Sequence, residues 1–191
     1  GGIEASLRRI AHYDYWSDSV RRPVLFDAKA DVLVYGMGER TVTALARALR
    51  DGREWRGLRG ICYAIPAHSD ILPTDALSLP DYTAVAAASP EGRAAFLDMY
   101  RLFAANQEPH TARPLLQRID TRCLVHTPPD TPLTSAELDA VHARPFMLDA
   151  HPIHAPKGKV RALETIRFSL ATHRGCYGEC NFCSIAVHQG R

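Results

Sequence analysis

No apolar run in this 191-residue sequence approaches the roughly 20 residues that a membrane-spanning helix needs. No basic head followed by a long apolar stretch opens it, so nothing reads as a signal peptide. Charge of one sign is scarce too. The 23 Lys and Arg against 21 Asp and Glu leave a net charge of +2, too little to imply a nucleic-acid or membrane partner. There is no fixed repeat period and no low-complexity tract. The histidines form neither HxxxH nor HxH pairs, and most, His126 among them, read as surface or hydrogen-bonded structural groups. What is present is ordinary for a folded chain. Apolar residues make up 46% and can bury a core, and 23% charged residues exclude a disordered chain. The length suits one domain or parts of two.

Cysteine is the exception. Of the five, Cys176, Cys180 and Cys183 crowd into one C-x3-C-x2-C string. An odd count so distributed is poor for a secreted disulfide framework and good for a metal site in a reducing compartment, which predicts a cytoplasmic protein. Cys62 and Cys123 stand alone in apolar strands and read as buried free thiols.

Along the chain, Gly1 to Ser6 reads as a glycine turn feeding a helix through Leu7, Ile10 and Ala11, with His12 to Trp16 as its packed end. Arg21 to Phe26 is a weak strand limited by Pro23. Asp31 to Tyr35 is nearly continuous in apolar residues, as a strand covered on both faces should be. Gly36-Met37-Gly38 then turns into a helix over Thr41 to Leu49, with Val42, Leu45, Ala46 and Leu49 on one side and a stop at Gly52. A two-glycine turn is a weak ligand signal, and a tight strand-to-helix connection explains it. Gly60 to Ile65 is the next strand. The order predicts the end of a doubly wound α/β domain over residues 1–65.

Twelve of the 13 prolines lie between Pro66 and Lys159. Residues 66–160 therefore read as a linking segment, irregular and mostly helical. Helices are expected at Glu91 to Gln107 (apolar Ala95, Phe96, Met99 and Phe103), around Arg113 to Asp120, and at Ser135 to His142 with Ser135 as its cap. Thr121 to His126 is a short strand. A further strand is expected from Ile166 to Ala171, just before the cysteines.

The chemistry of the cysteine string follows from ligand count. A cubane iron–sulfur cluster takes cysteine thiolates, and gaps of three and two residues let one tight loop reach three of its corners. Cys176, Cys180 and Cys183 would then hold a [4Fe–4S] cluster with one iron open to a chelating cofactor. S-adenosylmethionine offers an amino and a carboxylate group for that iron. One-electron reduction of its sulfonium would yield methionine and a 5′-deoxyadenosyl radical. Competing readings are a four-thiolate ferredoxin-type cluster completed by a later cysteine, a chance grouping, and zinc with His173 or His188 as fourth ligand, in a zinc-stabilised α/β binding module with no catalytic activity.

With Phe182 directly before Cys183, the string resembles the radical SAM signature. The wider RFSLATHRGCYGECNFCSIAVHQGR, with Gly1 to Ser6, Tyr13 to Ser17, Pro128-Pro129, Glu137 to Asp139 and His151-Pro152, is similar to the YgiQ family of uncharacterised radical SAM proteins. The resemblance implies that Phe182 packs beside the adenine of the cofactor. It also implies a flavodoxin-like domain, similar to cobalamin-binding domains, followed by a partial (β/α)6 barrel whose first strand and cluster loop occupy residues 161–191. A cobalamin-ligating histidine motif would lie before Gly1, so these residues neither support nor exclude cobalamin as a further cofactor. With no start methionine, and with Arg191 eight residues past Cys183, the chain is expected to be an internal fragment, inactive alone. Its partners would be a substrate of unknown class and an electron donor.

Overall fold

The computed structural model describes every residue except Ala171, Thr172, Glu179, Asn181 and Arg191. The chain forms two units, Gly1–Pro132 with Gly175–Arg191, and Leu133–Arg174. The first is built on a five-stranded sheet. In chain order it contains α1 (Gly2–Leu7), β1 (His12–Asp14), β2 (Ser19–Arg21), α2 (Val24–Asp27), β3 (Val32–Val34), α3 (Glu39–Arg50), β4 (Ile61–Pro66), β5 (Leu77–Ser78), α4 (Tyr82–Val85), α5 (Pro90–Ala105), β6 (Leu115–Ile119) and β7 (Arg122–His126). The second contains α6 (Ser135–His142), a 3-10 helix (Pro152–Lys157) and α7 (Ala162–Ile166). After it the chain returns to the first unit with α8 (Ile185–Gln189).

The fold is α/β, but the sheet is not doubly wound. Its order is β3-β4-β7-β6-β5, and only the β5–β6 pair is parallel. An apolar run carries no information about strand direction, so the expected parallel sheet had no local check. β3 lies at the sheet edge and pairs antiparallel with β4, Leu33 opposite Cys62. The sheet also continues past residue 65, because β4 pairs with β7 from Cys62↔His126 to Pro66↔Arg122.

Alternation sorts side chains to the two faces. Cys62, Leu33, Leu115, Ile119 and Leu124 face a core closed by Met99 and Phe103 of α5, Val85 of α4, Leu25 of α2, and Ala5 and Ile10. Ile61, Tyr63, Ile65, Cys123 and Val125 form the other core with Trp55 and Leu58. Cys62 and Cys123 are buried free thiols, and burial pushes the Cys62 thiol up to about 12.

Several local expectations are corrected. α1 occupies the stretch read as a glycine turn, and β1 begins at His12 where a helix end was expected; Trp16 is exposed. Val24–Asp27 is a helical turn following Pro23, whose fixed φ suits a helix start. α3 buries Thr41, Leu45 and Ala48, leaving Val42 and Leu49 exposed. The helix expected near Arg113 to Asp120 is strand β6, joined to β7 by Asp120-Thr121, with Asp120 at φ +54°. The strand expected over Ile166 to Ala171 is absent up to Leu170: Ala162–Ile166 is helical and Arg167-Phe168 a turn, while Ala171 lies outside the described residues. Gly36 sits at φ +71°, and a Cβ on Gly38 would lie 2.6 Å from Val34 Cγ1. A tight turn therefore accounts for both glycines without a ligand.

In the second unit α6 is capped by Thr134, not Ser135. The Thr134 hydroxyl accepts from the Glu137 N–H at 3.3 Å, and Glu137 Oε2 accepts from the Thr134 N–H at 2.8 Å. Removing this capping box with Thr134→Ala is expected to cost about 1 kcal/mol of local stability. Hydrogen exchange of the α6 amides measures that cost as faster exchange. The same unit holds a cavity of about 340 Å³ lined in part by Asp149, His151, His154 and Arg167.

Candidate functional site

The three clustered cysteines lie on a loop closed at its base. The Gly175 N–H donates to Gln189 Oε1 at 3.1 Å, and the Cys176 N–H donates to the Gly190 carbonyl at 3.2 Å. Residues 175–190 thus form a ring with α8 as one side. Cys176 and Cys180 are exposed and Cys183 half-exposed, all as free thiols. Gly178 sits between the first two. Its N–H points at Cys176 Sγ at 3.4 Å, and a Cβ there would lie 3.3 Å from Cys176 Sγ and 3.8 Å from Cys180 Sγ. The Cys183 N–H donates to the Cys180 carbonyl at 2.9 Å. Phe182 and Tyr177 are each 93% exposed beside the thiols.

α8 is held from beneath by α1. Ser6 Oγ, on α1 and fully buried, lies 2.8 Å from His188 Nδ1 and accepts from the Gly36 N–H at 2.9 Å. Next to it, Arg9 is 1% exposed. Its Nη1 donates to the Ser6 carbonyl at 2.6 Å and reaches within 3.5 Å of the Val187 carbonyl. Its Nε donates to His126 Nε2 at 3.0 Å, and its Nη2 donates to Gln107 Oε1. The guanidinium lies 4.3 Å from the Tyr35 ring centre and 4.6 Å from that of Phe103. Tyr35 in turn stacks on His126 at 4.7 Å and donates its hydroxyl proton to the Thr127 carbonyl at 2.5 Å.

No carboxylate is among these partners of Arg9; neutral acceptors and two ring faces lie against the cation. Burial, and then the Arg9 charge, drive the His126 imidazole well below its usual range. His126 is therefore neutral and accepts at Nε2, while its buried Nδ1 has no hydrogen-bond partner among the described residues. Burial also raises the Tyr35 hydroxyl well above its ordinary value.

The donor set fits an iron–sulfur cluster: three free thiols on one ring, with a backbone N–H turned to sulfur and a glycine leaving space between two of them. Among the described residues no three His, Cys, Asp or Glu side chains converge as a metal-holding group. His188, one candidate for a fourth zinc ligand, turns Nδ1 to Ser6.

Sequence reasoning missed Arg9. The only signal was its place between Leu7 and Ile10, in a stretch where a charge breaks an apolar face.

The family model described as Radical SAM N-terminal matches residues 1–169. The chain belongs to the radical SAM N-terminal family. It is 46% identical over 190 residues to a UPF0313 protein of Fusobacterium nucleatum, covering 100% of this chain and 32% of the relative. A UPF0313 protein of Geobacter sulfurreducens is 47% identical over 193 residues, covering 100% and 31%. One of Thermotoga maritima is 42% identical over 192 residues, covering 99% and 32%. The chain thus spans about a third of the length of these relatives. Together they bear out the YgiQ-family resemblance read from the cysteine string. No solved structure matches the chain. The radical SAM N-terminal match stops before Cys176, so the cysteine ring lies outside it, although the relatives align with nearly the whole chain.

Proposed function

We propose that the full-length protein is a radical SAM enzyme in which Cys176, Cys180 and Cys183 hold a [4Fe–4S] cluster. The observation that carries this reading is the closed ring of residues 175–190 bearing three free, accessible thiols in a radical SAM family chain. Such a cluster, when bound, supplies the electron that reductively cleaves S-adenosylmethionine to methionine and a 5′-deoxyadenosyl radical.

This chain's own residues have narrower tasks. The three thiols ligate. The Gly178 N–H, aimed at Cys176 Sγ, donates toward a sulfur that carries negative charge once ligated. Gln189 and Gly190 keep the ring closed. Phe182 presents an exposed ring face beside the last ligand, suited to stacking on the adenine of the cofactor.

In this reading the substrate is of unknown class. An electron donor is a required partner. Unpaired thiols suit the reducing cytoplasm. Among the described residues no helix is long and apolar enough to cross a membrane.

The test is anaerobic reconstitution of the full-length protein with iron and sulfide, read by EPR and by methionine and 5′-deoxyadenosine formation under reduction. A [4Fe–4S] signal with S-adenosylmethionine cleavage is the expected result. One zinc per chain with no iron uptake would replace it with the zinc-stabilised binding module.

A further inference from the structure

We infer that Ser6, paired with His188, is a positioning residue for the cysteine ring: a latch that ties the ring to the sheet unit. It acts on the proposed cluster and so rests on the reading of Cys176, Cys180 and Cys183 as ligands.

α8 has five residues, far below the roughly 12–15 at which an isolated helix becomes even marginally stable. Its place must come from tertiary contacts. The Ser6 hydroxyl supplies one from a fully buried position, 182 residues away in sequence, with its Oγ 2.8 Å from His188 Nδ1. Ser6 is itself fixed by accepting the Gly36 N–H at the end of β3. Arg9 backs the junction, bonded to the Ser6 carbonyl and within reach of the Val187 carbonyl.

Holding α8 holds both ends of the ring. Cys183 lies two residues before the helix, and Cys176 is tied through its N–H to Gly190 just after it. Two strings that are far apart in the chain, Gly1 to Ser6 and His188 to Gly190, thus meet at one hydroxyl.

The side-chain amide of asparagine reproduces the position of Nδ1, and that of glutamine the position of Nε2. In the full-length reconstituted protein, Ser6→Ala, His188→Ala and His188→Gln are expected to release iron to a chelator about tenfold faster than wild type, with His188→Asn close to wild type. Amides 185–190 should lose hydrogen-exchange protection in the first three and keep it in the fourth. Wild-type iron release and protection in Ser6→Ala and His188→Ala would overturn the latch. So would rescue by glutamine rather than asparagine. A wild-type protein that takes up no cluster would overturn the cluster reading instead, while exchange at 185–190 would still decide the latch.

Discussion

Changing any one of Cys176, Cys180 or Cys183 to alanine is expected to reduce reconstituted iron from about four per chain to background and to abolish the [4Fe–4S] EPR signal. The effect is close to all-or-none because no spare ligand is at hand. Among the described residues no three His, Cys, Asp or Glu side chains converge as a metal-holding group that could take over. Cys62 and Cys123 cannot substitute, since both are buried in the sheet cores. The Cys62 thiol, pushed up to about 12 by burial, is also held in its protonated, non-ligating form. Cys62→Ala and Cys123→Ala should therefore keep wild-type iron, which makes them the controls. Full iron retention in any of the three single loop variants would remove that cysteine from the ligand set.

Arg9→Ala is expected to destabilise the sheet unit by about 3–5 kcal/mol, measured by urea unfolding. The change removes the donors to His126, Ser6 and Gln107 and leaves a cavity between the rings of Tyr35 and Phe103. Arg9→Met, which fills the volume without donating, should recover only part of the loss. The same cluster makes stability depend on pH. The folded-state pKa of His126 lies well below its ordinary 6.5, first through burial and second through Arg9. The unfolded chain therefore binds the proton more readily, so the contribution is complete above about pH 6.5 and is lost as pH falls below it, by up to about 1.4 kcal/mol per pH unit. His126→Gln keeps an acceptor near the Nε2 position and cannot titrate, so the acid slope should flatten by that amount. An unchanged slope would assign acid sensitivity to other groups.

What could be read from residues alone depended on whether a signal was local. β4 and β7 announce themselves as apolar runs, and α5 as an apolar stripe through Met99 and Phe103. β6 hid because its alternation, Leu115, Gln117, Ile119, places a glutamine inside. Gln117 is fully buried and satisfied by accepting the Ala11 N–H and donating to the Pro80 carbonyl. A polar residue whose partners lie elsewhere in the chain breaks the pattern that a periodicity search relies on. Thr134 and its neighbour Ser135 can each cap a helix, and only the backbone turn selects Thr134.

The cysteine string carried its own chemistry. Three thiols at gaps of three and two stand together through covalent proximity, whatever surrounds them, and the flanking residues pointed to the family. The direction of the strands, the buried cation at Arg9 and the seat of the ring on α1 were decided only by tertiary structure. Each depends on pairing between segments distant in sequence, with Ser6 against His188 the longest of them. A hydroxyl, a guanidinium or an apolar run has no partner encoded in its own neighbourhood. Burial supplies that partner, because inside the protein a polar group must find one in the folded chain or pay the cost of leaving water without it.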